Sequence, residues 1–175
     1  MKKSFSLILI VVVSLVVFQS CKKYPSIRSA ESVELDAFMG DWYVVANIPT
    51  FIEKGAHNAV ESYSRGDDNK INTVFTFNKD KPKGVLKKYE PTGFVQDDDS
   101  NAIWKMQFVW PFKSEFIIVY VNQGYKYTII GRSKRDYLWI MSRQPKIPPK
   151  DLEKLVNIAV EEGYNRDLIQ YIPHD

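Results

Sequence analysis

The sequence predicts an all-β fold: an eight-stranded antiparallel up-and-down barrel with one C-terminal α-helix packed on its outside. Three observations predict it. Between Gly40 and Arg143, short apolar stretches with period-2 alternation are separated by turn chemistry. Each connection is short enough to join neighbouring antiparallel strands. After Pro148 and Pro149 the apolar spacing changes to that of a helix. Eight strands is also the number at which a closed barrel can hold one small ligand.

The first twenty residues stand outside this fold. Lys2 and Lys3 form a basic n-region, and Phe5 to Phe18 form an apolar h-region broken only by small serines. A membrane helix needs roughly 20 apolar residues, so this shorter run predicts a signal peptide over residues 1–20 that is removed on export. Cys21 is the single cysteine, which excludes an internal disulfide. Its place directly after Ser20 resembles the lipobox of bacterial lipoproteins, with Phe18 where leucine is usual and Gln19 after it. That resemblance implies cleavage before Cys21 and acylation of that residue by chains such as palmitate, each buried methylene contributing about 0.8 kcal/mol of membrane affinity. Lys22 follows rather than aspartate, which by analogy with enteric lipoproteins implies the outer membrane. Residues 21–34 then read as a lipidated N-terminus and tether, polar from Lys22 to Ala30 with Pro25. Residues 35–175 read as one domain.

Loss of residues 1–20, with two lysines and no acids, takes the formal charge from +3 to +1. Near-neutrality argues against nucleic acid as a partner. A hydrophobic share of 45% and an aromatic share of 14% are ample for a core, or for a core with a lined cavity.

The strands follow in order. In Phe38 to Pro49, Trp42, Val44 and Ala46 fall on one face of a period-2 element and Tyr43, Val45 and Asn47 on the other. Both faces are apolar near the start, which predicts burial on both sides, and Gly40 leaves room for a segment to cross close to the backbone. Ala59 to Ser64 and Ile71 to Phe77 flank the turn at 65–69. After the turn at 78–84, Val85 to Val95 reads as one long strand with Pro91 and Gly93 at bulge or edge positions. Beyond the acidic loop at 97–101, Trp104, Met106, Phe108 and Trp110 share a face, while Lys105 and Gln107 mark the other. Phe116 to Val121 and Tyr125 to Gly131 flank a hairpin turn at Asn122, Gln123 and Gly124. Tyr137 to Arg143 is the eighth strand. Leu152, Leu155, Ile158 and Ala159 then form a helical stripe, with Asp151 at its start and Gly163 as its stop. Leu168 to Ile172 adds a short final strand.

Gly40 and Trp42 on the first strand, with Arg143 closing DYLWIMSRQP on the eighth, resemble the lipocalin family, whose first strand begins Gly-x-Trp and whose eighth ends in an arginine. Of the family's Thr-Asp-Tyr, which follows the sixth strand, Tyr125 remains. The resemblance runs from about Leu35 to Ile172 and is closest to the bacterial outer-membrane lipocalins and their apolipoprotein D-like relatives. It implies that Arg143 packs across Trp42 to close the barrel floor, a contact contributing roughly 2 kcal/mol when desolvated. If Trp42 and Arg143 point into the floor, parity turns Val44, Ala46, Trp139 and Met141 toward the cavity. The family's lumen-facing phase implies that Val60, Phe75, Trp104, Met106, Phe108, Phe116, Ile118 and Tyr120 join them. That aromatic and apolar lining suits an acyl chain better than a sugar or nucleotide.

Other residues carry less. His57 and His174 are the only histidines, and neither a catalytic triad nor a metal cluster assembles around them. Asp97, Asp98 and Asp99 read as a solvated loop, and Lys87, Lys105 and Arg132 as surface charges that could meet a phosphate near the mouth. The sequence therefore predicts a lipid-anchored binding protein that is not an enzyme and needs no cofactor or metal. It would carry a fatty acid or lysophospholipid at the bacterial outer membrane. The competing expectation is a structural or partner-binding lipoprotein with a filled barrel. A homodimer is compatible with either.

Overall fold

The computed structural model describes residues 25–96 and 99–175. A short helix α1 (Leu35–Phe38) precedes strands β1 (Gly40–Ile48), β2 (Ala56–Arg65), β3 (Lys70–Lys79), β4 (Leu86–Tyr89), β5 (Thr92–Val95), β6 (Ile103–Val109), β7 (Phe112–Val121), β8 (Tyr127–Gly131) and β9 (Leu138–Ser142). Helix α2 (Pro149–Glu161), a 3-10 turn (Arg166–Leu168) and β10 (Gln170–Tyr171) complete the chain. Neighbouring strands pair antiparallel, and β1 also pairs with β9, which closes the sheet into a barrel.

β4 and β5 both pair with β3 and form two halves of one barrel strand. The expected continuous strand from Val85 to Val95 is broken at Glu90 and Pro91, where proline has no N–H to give the ladder. The barrel count is thus eight, as expected. β10, shorter than Leu168 to Ile172, adds to the edge of β1.

Two apolar layers follow from the period-2 pattern. On β3, Ile71, Phe75 and Phe77 are buried in the inner cluster, while Asn72, Val74 and Thr76 alternate toward the outside. The outer faces of β1, β7, β8 and β9 supply Val45, Ile48, Ile117, Val119, Ile129, Leu138 and Ile140 to a second cluster. Helix α2 covers that cluster with Leu155, Val156 and Ala159. It starts with Pro149 in its first turn and stops before Gly163, whose φ of +93° suits glycine. The Tyr164 hydroxyl then accepts from the Arg132 N–H at 2.8 Å and donates to the Arg132 carbonyl at 3.2 Å, fastening the helix end to the strand β8 side.

The domain starts earlier than Leu35. Ile27 packs against the outer cluster, the Ala30 N–H donates to the Ile118 carbonyl at 2.8 Å, and the Val33 N–H donates to the Ser100 carbonyl at 2.8 Å. Part of the segment read as a tether is therefore docked on the wall, because Ile27 and Val33 have apolar surface to bury. All strand pairings and both clusters described here lie within residues 25–175, which hold a complete closed sheet and core.

Up-and-down order gives the barrel two distinct ends. The β1–β2, β3–β4, β6–β7 and β8–β9 connections lie at the mouth, and the β2–β3, β5–β6 and β7–β8 connections lie at the floor.

Candidate functional site

The floor is assembled around Trp42, which is fully buried and donates its indole N–H to the Phe38 carbonyl at 2.8 Å. The Arg143 guanidinium lies 3.8 Å from the Trp42 ring centroid. Its Nη1 donates to the Asp41 carbonyl at 2.7 Å, and its Nη2 reaches the carbonyls of Ala37 (2.9 Å), Phe38 (3.1 Å) and Met39 (2.8 Å). These are the free carbonyls at the end of α1, so one cation both stacks on the indole and caps the helix. The close crossing anticipated beside Gly40 is this guanidinium: a Cβ there would sit 3.4 Å from Nη1, and the φ of +90° already demands glycine. Tyr125 joins the same end by accepting the Glu34 N–H at 2.7 Å.

α1 was not legible in the sequence, yet it plugs the floor. Its Phe38 ring lies 5.1 Å from Trp42 and 5.5 Å from both Tyr63 and Trp104, centroid to centroid. Above this plug the lumen wall carries Val44, Phe75, Trp104, Met106, Phe116, Ile118 and Met141, all buried in the inner cluster, with Trp139 packed against them. Phe108 stands at the rim, half exposed, with its ring 6.5 Å from Tyr89.

Three expected lining residues lie elsewhere. Ala46 belongs to the outer cluster, because a bulge between Val44 and Ala46 shifts the register of β1 against β9 and reverses parity. Tyr120 packs against the same outer layer, after a like shift between Ile118 and Tyr120. Val60 is partly buried and aligned with outward Tyr43, whereas its neighbour Glu61 is aligned with inward Trp42. The inward residues of β2 are Ala59, Glu61 and Tyr63. Parity carried from the family pattern was one residue out on this strand.

The lumen consequently holds two carboxyl groups that sequence reasoning missed. Glu61 is buried and accepts the Tyr63 hydroxyl proton. Burial pushes its carboxyl up to about 7, the Tyr63 hydrogen bond opposing and nearby Glu53 adding to the rise. Glu53, from the β1–β2 connection, accepts the Trp139 indole N–H at 2.7 Å and the Thr50 N–H at 2.7 Å. Burial raises its carboxyl as well, against those hydrogen bonds. Among the described residues no lysine or arginine forms an ion pair with either acid. Thr73, aligned with Tyr63, has a buried hydroxyl without a partner. Only Trp42–Glu61 register could have revealed this polar patch, and register is not written in one strand alone.

Of the remaining candidates, His174 and Arg132 take structural roles. His174 bonds through Nε2 to the Val44 carbonyl at 2.8 Å, covering the bulge in β1. Arg132 pairs with Asp136 at 3.5 Å, and Lys87 is exposed. Cys21, Asp97 and Asp98 lie outside the described residues. A cleft of about 640 Å³ on the outer wall is lined by Arg28, Glu31, Tyr120, Ile158 and Glu162, and Arg28 pairs with Glu162 across it.

A family model described as a lipocalin-like domain matches residues 33–174. The chain is 30% identical over 128 residues to the outer membrane lipoprotein Blc of Citrobacter freundii, covering 73% of this chain and 71% of that protein. It is 26% identical over 154 residues to apolipoprotein D of Bos taurus, covering 80% and 79%. Among solved structures, insecticyanin from the tobacco hornworm Manduca sexta superposes with a TM-score of 0.69 at 15% identity, over 87% of this chain and 86% of that one.

Proposed function

Because this chain belongs to the lipocalin family, we propose that it binds a fatty acid, lysophospholipid or similar amphiphile in its barrel and stores, scavenges or transfers it. One observation carries the reading: a closed barrel, sealed at one end by Phe38, Trp42 and Arg143, whose inner wall is aromatic and aliphatic up to a half-exposed rim at Phe108. An acyl chain taken into such a wall leaves water at roughly 25 cal/mol per Å² of apolar area, against the cost of ordering it.

Glu61 sets the orientation. Buried beside Trp42 and Tyr63 at the floor end, with Arg143 there taken up by backbone carbonyls, it offers an anionic headgroup no cation to pair with, so the apolar chain goes in and the headgroup stays near water. No chemistry is asked of the protein in this reading, which is carriage and not catalysis.

The lipobox-like Cys21 and the resemblance to relatives named outer membrane lipoproteins support attachment to the outer membrane by acyl chains. A second reading, a filled barrel that serves as a structural or partner-binding lipoprotein, is favoured by one observation: the floor half is packed ring on ring, with Trp104 stacked on Phe116 at 5.4 Å.

Native mass spectrometry of residues 22–175, purified from cells and again after delipidation with added lysophospholipid or fatty acid, separates the two. One displaceable amphiphile per barrel is the expected result. No bound mass and no uptake across a lipid panel would leave the filled barrel.

A further inference from the structure

Apart from Val160, Leu168 and Tyr171 near the C-terminus, the large exposed apolar side chains gather at one end. Phe51 on the β1–β2 connection, Val85 and Leu86 around the β3–β4 connection, and Val109, Trp110 and Phe112 on the β6–β7 hairpin all project from the mouth, and Phe51 and Trp110 are each 81% exposed. A soluble surface rarely gathers this much apolar area at one end without something to cover it. The same loops are basic. Lys54, Lys81, Lys83, Lys87 and Lys134 are exposed there, and none of them forms an ion pair among the described residues. The acids of these loops are already engaged: Asp80 with Lys79, Asp136 with Arg132, and Glu53 inside the barrel. The floor differs, carrying Glu34, Asp36, Asp41, Asp67, Asp68 and Asp99 beside Arg65, Lys70, Lys126 and Arg143, the last taken up by backbone carbonyls.

The start of the described chain points the same way. Its first residues run along the outer wall from mouth to floor: Ile27 lies against Gly131 at the mouth end of β8, Ala30 bonds Ile118 midway, and Val33 bonds Ser100 at the floor. The first described residues thus lie toward the mouth end of the wall. Aromatic tips surrounded by lysines match the interface of a bilayer bearing anionic phospholipids, where rings settle at headgroup depth and lysines meet phosphates.

We propose that the mouth is a membrane-docking surface, with Phe51, Trp110 and Phe112 entering the interface of an anionic phospholipid bilayer and Lys81, Lys83 and Lys87 holding its headgroups. The contact stands whether or not the lumen carries a ligand, and it needs no acyl group.

The test uses unacylated residues 22–175 with phosphatidylcholine vesicles, prepared with and without phosphatidylglycerol. Trp110 is the reporter, since Trp42 and Trp104 are fully buried and Trp139 is packed against the inner cluster with its indole N–H held by Glu53. On anionic vesicles the protein should float with the lipid, its emission should move to shorter wavelength, and lipids brominated on their acyl chains should quench it. The emission change should vanish in Trp110→Phe. Combined Lys81→Glu, Lys83→Glu and Lys87→Glu should weaken partitioning by at least about tenfold at low salt, and Phe51→Ser with Phe112→Ser should weaken it too. Quenching in the unaltered protein keeps the test independent of how any variant folds. Absence of binding, binding that leaves Trp110 emission unchanged, or a lipid-independent dimer that buries Trp110 would each overturn the proposal; the last would assign this face to a second copy.

Discussion

The Arg143 guanidinium and the Trp42 indole lie 3.8 Å apart, and the same guanidinium gathers the carbonyls that end α1. Two ends of the chain's barrel segment are thus joined through one side chain. Arg143→Ala should lower unfolding free energy by about 2–3 kcal/mol, from a half-buried cation–π contact and several charge-assisted hydrogen bonds. Arg143→Lys should recover less than half, because an ammonium cannot stack and fork at once. Urea denaturation of residues 22–175 measures both; a loss under about 1 kcal/mol would mean that Phe38 seals the floor unaided.

Glu61 should make stability fall as pH rises. Its folded carboxyl sits at about 7 against an ordinary 4.5, so the folded state holds the proton more tightly than the unfolded one. Stability from this group is full below pH 4.5 and is lost as pH rises toward 7, by about 3 kcal/mol in all. Glu61→Gln should remove that slope and be the more stable form at pH 8, while matching or trailing the parent at pH 5. Equal slopes in parent and variant would assign the dependence to another group.

Trp139 holds the other lumen acid. Trp139→Phe keeps a ring against Phe116 but takes the 2.7 Å donor from Glu53. The expected loss is about 1–3 kcal/mol. It should be larger at pH 8 than at pH 5, since the missing donor favoured the charged carboxylate. Thermal melts at the two pH values read the difference, and a pH-independent loss would reduce Trp139 to packing.

The rim and the wall should respond differently to charge. Phe108→Asp, half exposed, should shift the melting temperature little yet reduce amphiphile uptake by about tenfold. Met106→Lys, 5% exposed, should destabilise the barrel itself. Titration of a fluorescent fatty acid alongside the melts distinguishes them. Unchanged uptake by Phe108→Asp would show that the rim lies off the ligand's path.

Most of the architecture could be read from one chain because period-2 alternation, turns and the change to helical spacing are local signals. The floor signature was legible only through the resemblance to the lipocalin family carried by Gly40, Trp42 and Arg143. Lining residues depend on parity, and parity survives only until the first bulge. Trp42 and Val44 were placed correctly and Ala46 was not, with one inserted residue between them. Ile118 and Tyr120 repeat the pattern on β7. α1 is a single turn whose end is held by Arg143 from more than a hundred residues away, and no local propensity announces it.

A barrel stoppered by Phe38 beneath gives the amphiphile proposed above only the mouth to pass through. Whatever enters must leave by the same aperture, in reverse order: the end that goes in first comes out last. Loading and unloading then share one passage, and a substitution that narrows it without touching the bound amphiphile slows capture and release in proportion. Occupancy at equilibrium would stay as it was, while the time needed to reach it lengthened.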